Sequence, residues 1–249
     1  MSAQPYELAN LGRCGNCAIR HKAICSVLTT DELHRISQIA HQRHIPAGQI
    51  IMSDQEPVSY FANIISGVVK LTKTLDDGRQ QIVGLLFPPD FIGRTYSELS
   101  PYNAEAATDT TICCFPHSSF ERLLDDVPDL EHRLFERTLD ELDSARDWMV
   151  LLGRKSAVEK VGSFLLQIAR RTDLVGCPHI DRPDLPVFKL PLTRADMADY
   201  LGLTIETVSR QMTKLKSGKI IRIDENTTIS VLDMEALSDL SGEDPSELL

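Results

Sequence analysis

Apolar positions in the first half of the chain occur as short runs separated by turn-forming residues. Between residues 44 and 116 these runs are IPAGQIIM, FANIISGVVKL, DDGRQQIVGLLFP, DFIG and TTICCFP. Many short strands at this spacing are typical of an antiparallel roll or barrel. The pattern therefore predicts a β-roll that begins near His44 and ends near Pro116.

Helical periodicity appears on both sides of this roll. Before it, Leu33 and Ile36 lie on the apolar face of a short capped helix that begins near Thr30. After it, the pattern predicts a short helix over residues 117–124. A longer helix then follows with Pro128 in its first turn, a position that suits proline.

The longer helix carries a narrow apolar stripe. Its members recur at alternating spacings of three and four residues, as the a and d positions of paired helices do: Phe135, Thr138, Leu142, Ala145, Met149 and Leu152. A helix that packs on its own domain also has an apolar face. A narrow stripe with charged flanks, here including Glu136 and Arg146, favours pairing between two subunits. We therefore expect dimerisation through this helix.

A second helical region begins after Gly153. One helix is expected to run to about Arg171, and the irregular segment TDLVGCPHIDRPDLP follows with three prolines. Thr193 can then cap a short helix that ends at Gly202, and Thr204 can cap another. Two short helices joined through glycine are typical of a helix-turn-helix, and the alternating run KIIRIDENTTISVL predicts the hairpin of a winged variant. The predicted fold class is α+β, with a β-roll, a long helix and a winged helix-turn-helix.

The second short helix turns Val208, Met212 and Leu215 inward. Its outer face then carries six polar side chains that suit DNA: Glu206, Ser209, Arg210, Thr213, Lys214 and Lys216. Arginine pairs with guanine through two hydrogen bonds and glutamate accepts from cytosine, whereas lysines more often contact phosphates. A structural helical hairpin with a charged exterior is the alternative interpretation.

The distribution of charge supports the DNA interpretation. The 249-residue chain has a net charge of -10, yet residues 154–223 carry 13 basic against 7 acidic residues, and the segments on either side are acidic. A local positive footprint matters more for DNA than the charge of the whole chain. The expected organisation is a cysteine-containing loop (1–28), a β-roll sensor domain (29–127), a dimerisation helix (128–153) and a winged helix-turn-helix domain (154–249).

The six cysteines indicate metal or redox chemistry. Since no apolar run approaches the roughly 18 residues of a membrane span, and the N-terminus lacks a secretory core, we expect a cytoplasmic protein, where disulfides are rare. Cys14, Cys17 and Cys25 have the spacing C-x2-C-x7-C, so one loop can wrap one metal centre. With His21 they also form C-x2-C-x3-H-x3-C, which is close to a zinc knuckle. Spacing alone leaves zinc and an iron–sulfur centre open.

Motifs along nearly the whole chain resemble the CRP/FNR superfamily of bacterial transcription regulators. They are the runs IPAGQII, SGVVKL, DDGRQQIVGLL and PPDFIG, the long helix, and LTRADMADYLGLTIETVSR, in that order from about Cys14 to Gly242. The N-terminal cysteines and the recognition helix are similar to the oxygen-responsive FNR branch. The seven residues before the third cysteine are typical of its FnrL type.

The resemblance implies a ligand set for the cysteines. In the FNR branch, three N-terminal cysteines and one at the end of the β-roll hold a [4Fe-4S] cluster. The implied ligands are Cys14, Cys17, Cys25 and Cys113. The fourth is assigned because the family pattern has proline three residues later, here Pro116. Strand alternation aims Cys113 and Cys114 at opposite faces, so only one of them is expected to reach the cluster.

The resemblance also implies a function. It is that of an oxygen-sensing regulator of anaerobic or microaerobic genes, an activator or repressor whose cluster promotes homodimer formation on double-stranded DNA. The implied site is a palindrome like TTGAT-N4-ATCAA, with Glu206, Ser209 and Arg210 as readers. RNA polymerase is an implied partner, and the segment 173–188 and the PPDFIGR turn are candidate contact surfaces.

Other functions are expected to be absent. A cyclic-nucleotide pocket of this superfamily needs a Gly-Glu pair where the chain has Gly93-Arg94, and residues 97–105 contain no arginine or lysine, so we expect no cyclic nucleotide. No enzymatic activity and no membrane association are expected either. Two alternatives stay open: a regulator of the same superfamily with a structural zinc, and an iron–sulfur electron-transfer protein.

Overall fold

The computed structural model describes residues 13–175, 186–225 and 227–242, apart from the side chains of 172–175. Cys177 and most of the segment 173–188 that was considered for RNA polymerase therefore lie outside the described residues. The chain divides into two compact units. One contains the chain before Arg79 together with Val83–Ser144, and the other contains Arg79–Ile82 and the chain from Ala145 onward.

The first unit is built around the predicted β-roll. Its strands form two four-stranded sheets with the orders β1-β8-β3-β6 and β2-β7-β4-β5. The strands are β1 (His41–Ile45), β2 (Ile50–Met52), β3 (Tyr60–Ser66), β4 (Val69–Thr74), β5 (Gln80–Leu86), β6 (Phe91–Ile92), β7 (Asn103–Ala106) and β8 (Thr110–Pro116). The strands thus cover the range that the short apolar runs predict.

Helices flank the roll. They are a short 3-10 helix (Ile24–Val27), α1 (Thr30–Ile39), α2 (His117–Asp126) and α3 (Pro128–Arg154). The hydroxyl of Thr29 caps α1 and completes a capping box with Glu32. Pro128 is the first residue of α3, as predicted. The boundary between the two units, after Ser144, falls inside α3 rather than at its end.

Strand alternation gives the sheet β1-β8-β3-β6 two different faces. On one face, Cys114 lies directly opposite Ala62. Tyr60 lies on the same face and donates its hydroxyl to the Ile51 carbonyl of the other sheet. On the opposite face, three aromatic rings pack around Phe120 of α2, with ring centroids 5.3–5.5 Å apart: Phe61, Phe91 and Phe115. The second face is therefore covered by helix, and its polar residues are shielded from water.

The second unit contains the predicted winged helix-turn-helix. Its elements are α4 (Ala157–Val175), β9 (Val187–Lys189), α5 (Arg194–Leu201), α6 (Ile205–Ser217), β10 (Ile221–Asp224), β11 (Thr228–Val231) and α7 (Met234–Ser241). The hairpin β10-β11 is the wing, and β9 adds a third strand beside β11. The sequence patterns predicted neither β9 nor α7. Both are short, and α7 packs on α4, where Leu240 approaches Gly162.

No helix among the described residues combines the length and the apolar character that crossing a membrane requires.

Candidate nucleic-acid interface and cysteine site

The two helices of the helix-turn-helix are fixed by local hydrogen bonds. The Thr193 hydroxyl accepts from the backbone N–H of Asp196 at 3.1 Å, and the Asp196 carboxylate accepts from the backbone N–H of Thr193 at 3.2 Å. Gly202 ends α5 in the left-handed region, with φ of 61°. The Thr204 hydroxyl then accepts from the backbone N–H of Thr207 at 3.2 Å. These bonds satisfy backbone donors that a helix N-terminus leaves free.

Helix α6 separates an apolar face from a polar one. Val208, Met212 and Leu215 are buried, as the sequence predicts. The six predicted DNA-contacting residues are all exposed: Glu206, Ser209, Arg210, Thr213, Lys214 and Lys216. Because the first four lie in the N-terminal two-thirds of the helix, they stand at the end that enters a major groove in helix-turn-helix proteins.

Hydrogen bonds within α6 prepare some of these side chains. The Arg210 guanidinium donates to the Thr207 hydroxyl at 3.3 Å, which holds it near the start of the helix. The Thr213 hydroxyl donates to the Ser209 carbonyl at 2.9 Å, so its proton is used within the helix. Hydrogen bonds from its own backbone N–H and from Thr204 lower the pKa of Glu206, which keeps its carboxylate ionised as an acceptor.

An aromatic contact packs the first helix of the helix-turn-helix, α5, against the C-terminal part of α3. The ring of Trp148, near the end of α3, stacks on Tyr200 of α5 with centroids 3.9 Å apart. The Tyr200 hydroxyl lies 3.2 Å from the side-chain oxygen of Gln167 in α4. Sequence patterns missed this contact because Trp148 lies outside the apolar stripe of its own helix.

The predicted dimerisation stripe on α3 is exposed over most of its length. Phe135 is 58% exposed and Met149 is 70% exposed, and Leu142 is exposed as well. Leu139 and Val150 extend the same surface, although the alternating three and four spacing passed over them. Two predicted members differ from the rest. Thr138 donates its hydroxyl to the Leu134 carbonyl, and Leu152 is half-buried within the second unit.

Two of the four predicted ligand cysteines, Cys25 and Cys113, lie at the helix-covered face of the sheet. Cys113 lies on β8 directly opposite Asn63 of β3, on the face that α2 covers. Cys14, Cys25 and Cys113 are partly buried against the core of the first unit. Cys114 points to the other face and is fully buried.

Electrostatic interactions link these four thiols. Burial raises the pKa of Cys113 strongly, and the charges of Cys25, Cys14 and Cys17 raise it further. Burial raises the pKa of Cys25 to about 12, again with contributions from Cys14 and Cys17. Geometry places one N-terminal cysteine near Cys113, because the Cys25 sulfur lies 3.9 Å from the amide nitrogen of Asn63, the residue that pairs directly with Cys113.

The remaining thiol on β8 has different surroundings. Burial raises the pKa of Cys114 to about 11, and the charge of Arg43 opposes that rise. The guanidinium of Arg43 also stands over the ring of Tyr60, 5.2 Å from its centroid. His21, the histidine of the zinc-knuckle spacing, is exposed to solvent.

Four cysteine sulfurs suit either zinc or an iron–sulfur cluster by their chemistry. In the described parts of the chain, no three His, Cys, Asp or Glu side chains stand together closely enough to hold a single metal ion. One further feature fits a sulfur-ligated group. The buried Asn63 amide lies beside Cys25, and no residue in the described part of the chain donates a hydrogen bond to its carbonyl oxygen.

Comparison with known proteins matches both units. Residues 42–127 match the family described as a cyclic nucleotide-binding domain, and residues 159–240 match the Crp-like helix-turn-helix domain. The chain is 44% identical to the transcriptional activator protein FnrL of Cereibacter sphaeroides, over 94% of each chain. It is 41% identical to the nitrogen fixation regulation protein FixK of Bradyrhizobium diazoefficiens, over 90% of this chain and 93% of that one. The chain belongs to the CRP/FNR superfamily.

Within this superfamily of DNA-binding transcription regulators, the chain belongs to the FNR branch. The structure of FixK2 from Bradyrhizobium japonicum aligns with a TM-score of 0.72 and 32% identity, over 81% of this chain and 97% of that one. The predicted fold class and family resemblance are therefore confirmed. The cysteine ligands, the base readers and the dimerisation stripe stay predictions.

Proposed function

We propose that this CRP/FNR-superfamily chain is an oxygen-sensing transcription regulator that acts as a homodimer and activates anaerobic or microaerobic genes. It would hold a [4Fe-4S] cluster through Cys14, Cys17, Cys25 and Cys113. The observation that carries the proposal is the position of the Cys25 sulfur, 3.9 Å from the amide of Asn63, whose strand partner is Cys113, because it joins residues far apart in the sequence. Such a centre supplies the sensitivity to oxygen, because oxygen degrades it.

The proposed DNA site is a palindrome like TTGAT-N4-ATCAA. Arg210 is suited to the guanine O6 and N7 atoms, and the ionised Glu206 to the cytosine N4 donor. Ser209 accepts or donates as the base requires. A dimer places two recognition helices about one turn of DNA apart, which is why a palindrome is the expected target. FnrL, a relative of this chain, is named as a transcriptional activator, and this supports activation as the outcome.

A hydrogen bond gives the cysteine loop a direct route to the dimerisation helix. The guanidinium of Arg137, on α3, donates to the backbone carbonyl of Lys22 at 2.6 Å. Lys22 lies in the loop between Cys17 and Cys25. Four thiolates that share one centre would fix this loop, and Arg137 would then fix the orientation of the first half of α3. The cysteines thereby bias how Phe135 and its neighbours are presented to a second chain.

The balance between monomer and dimer must be close for such a bias to matter. Acidic residues such as Asp140 and Asp147 flank the exposed stripe and oppose the approach of two copies. A complete switch from 1:99 to 99:1 requires about 5.5 kcal/mol. The free energy gained by ordering one loop and one contact with the helix is of a suitable size for a partial shift from monomer to dimer.

RNA polymerase is the proposed protein partner, and the β-roll is proposed to bind no cyclic nucleotide. Arg94 stands, exposed, where the nucleotide-binding members need glutamate. Gly93 in the same turn has φ of 118°, and a Cβ there would lie 2.6 Å from the ring of Phe61. Glycine is therefore required at position 93 of this turn. We propose that the exposed Arg94 beside it contacts RNA polymerase and not a nucleotide.

The deciding experiment is anaerobic purification followed by assays of iron, acid-labile sulfide and zinc. We expect about four irons and four sulfides per chain for a [4Fe-4S] centre. In parallel, fluorescence anisotropy with a TTGAT-N4-ATCAA duplex and a scrambled duplex, at two salt concentrations, tests DNA binding. We expect specific binding without air and its loss after exposure to air. One zinc per chain with air-insensitive binding would replace the oxygen sensor by a structural zinc site.

A further inference from the structure

One buried polar side chain beside the cysteines has only half of its hydrogen-bonding groups satisfied by the described residues. Asn63 lies in the middle of β3 and is only 2% exposed. Its neighbours along the strand, Ala62 and Ile64, are fully buried apolar residues. Its side-chain carbonyl oxygen is buried and has no hydrogen-bond partner among the described residues. Leaving a buried amide unsatisfied costs about 1–3 kcal/mol, so an apolar residue would stabilise the empty protein better.

The surroundings of Asn63 are the proposed cluster ligands. Its amide nitrogen lies 3.9 Å from the sulfur of Cys25, which comes from the N-terminal loop. Across the sheet it pairs with Cys113 on one side and with Phe91 on the other. Residues directly opposite each other in an antiparallel sheet share a face. The amide therefore stands between a ligand from the loop and a ligand from the strand.

We propose that the side-chain amide of Asn63 donates a hydrogen bond to the Cys25 sulfur in the cluster-bound protein, and that this bond lengthens the lifetime of the cluster. The inference rests on the proposed function, since it needs a sulfur-ligated group. Asn63 is thus a positioning residue: it would contact a ligand sulfur and no iron.

The charge of a metal-bound sulfur explains why the bond matters most when the site is loaded. A protonated thiol is only a weak acceptor. A metal-bound sulfur is a thiolate, and a hydrogen bond to a charged group is stronger than one between neutral groups. An asparagine can present only its nitrogen to a thiolate, because its oxygen would be repelled. Hydrogen bonds to the sulfurs are one of the ways in which proteins tune iron–sulfur centres.

The test uses two substitutions that remove the donor. Asn63→Asp keeps the shape of the side chain, and Asn63→Leu also removes the unsatisfied oxygen. Ile64→Val is the matched control, because it reduces packing at the adjacent residue on the opposite face, away from the cysteines. All variants are purified and loaded without air as full-length chains.

Three measurements separate a donor from a residue that merely fills space. In air-saturated buffer, both Asn63 variants should lose their visible absorption at least about threefold faster than the wild type, as loss of a modest hydrogen bond implies. Resonance Raman spectra should show Fe–S stretching bands that shift in D2O for the wild type and Ile64→Val, but not for either Asn63 variant. Without iron, Asn63→Leu should unfold at a temperature no lower than the wild type.

The outcomes distinguish this inference from the proposed function. If the wild type contains sulfide and iron but the Asn63 variants match it in lifetime and in the D2O shift, the inference fails and the oxygen sensor stands. If the wild type contains zinc and no sulfide, both fail. A variant that cannot be loaded supports the inference when its iron-free form unfolds like the wild type. It contradicts the inference when that form unfolds below Ile64→Val.

Discussion

The side chains of α6 that are proposed to contact DNA are exposed to solvent, whereas the cysteines proposed as cluster ligands are shielded from it to a larger extent. Arg210 and Glu206 are exposed and need only meet a partner, and local hydrogen bonds already orient them. Cys25 and Cys113 are partly buried, with pKa values raised chiefly by burial, so in the empty protein they are neutral thiols. A group that binds them must displace protons. The exposed face of α6 is therefore formed before it binds DNA, whereas the cysteine site must lose protons when it binds a metal centre.

The largest expected effect concerns the two adjacent cysteines on β8. Cys113→Ser should abolish a stable oxygen-labile cluster, because Cys113 lies on the same face as Asn63, which contacts Cys25 of the N-terminal loop. Cys114→Ser should retain it, since Cys114 lies on the opposite face beside Arg43. Iron per chain and the visible spectrum, measured without air, check both.

The zinc alternative has its own control. His21→Ala should leave the cluster in place, because His21 is exposed and outside the four proposed ligands. Loss of the metal from His21→Ala alone would favour a zinc knuckle. If the cluster survives Cys113→Ser but not Cys114→Ser, the fourth ligand is Cys114. That result would contradict the strand register, which turns Cys114 to the face opposite Cys113.

A charge in the exposed stripe of α3 should abolish the dimer. Leu142→Glu or Met149→Glu should leave a folded, cluster-bearing monomer, because the carboxylate is buried without a partner only when two helices meet. Ser144→Glu adds the same charge outside this stripe and is the control. Sedimentation of the loaded proteins measures the effect. Normal dimers of Met149→Glu would show that another surface joins the subunits.

Removal of one base reader should have an intermediate effect. Arg210→Ala should weaken binding to the palindrome by about 1–3 kcal/mol and relax the preference at one base pair of each half-site. Lys216→Ala should weaken binding to all sequences about equally, because a lysine on phosphate reads no base. Anisotropy titrations with specific and random duplexes compare them. Equal losses on both duplexes for Arg210→Ala would remove it from the readers.

The contact between the cysteine loop and α3 should affect coupling without affecting cluster content. Arg137→Gln loses a charged donor to the Lys22 carbonyl, and at this exposed position we expect the lower end of the about 1.5–3 kcal/mol that such bonds contribute. The loaded dimer should therefore dissociate roughly tenfold more readily, while the iron-free protein is unchanged. Arg133→Gln, which breaks an ion pair with Glu136 on the same helix, is the control. Equal dimer affinities for Arg137→Gln and the wild type would leave the coupling to another contact.

The smallest effect concerns the start of the recognition helix. Thr204→Ala removes the acceptor for the Thr207 N–H and should lower the free energy of unfolding by about 1 kcal/mol. Thr204→Ser keeps the hydroxyl and should restore most of it. Thermal unfolding of the iron-free chains measures both. Identical stabilities for Ala and Ser would mean that the cap contributes nothing in this context.

The recognition helix could be predicted almost completely from the sequence. Thr193, Gly202 and Thr204 mark the ends of α5 and α6, and Val208, Met212 and Leu215 mark the buried face. All of these signals act over one or two helical turns, so the sequence contains them directly. The stripe on α3 was predicted less completely. Leu139 and Val150 share its surface, but the a and d spacing alone does not select them.

The cysteine site depended on information that is not local. The spacing C-x2-C-x7-C identified only Cys14, Cys17 and Cys25 as candidate ligands. The choice of Cys113 as the fourth came from a family resemblance rather than from the residues themselves. Asn63 and Arg137 carry no signal in the sequence, because their roles arise from which strand or loop lies beside them. The short elements β9 and α7 were missed for the same reason, since each is stabilised by packing against distant parts of its unit.

The sequence by itself therefore determined the order of the elements, the winged helix-turn-helix and the outward face of α6, since caps and periodicity depend on residues a few positions apart. Only the tertiary structure decided that Cys113 lies on the sheet face that the loop approaches at Cys25, that Asn63 stands between these two proposed ligands and that Arg137 donates to the Lys22 carbonyl. Each of these contacts depends on strand register and on the packing of helix against sheet. Both are set by the burial of the whole core, because a register shift of one residue would turn every side chain of the strand to the other face.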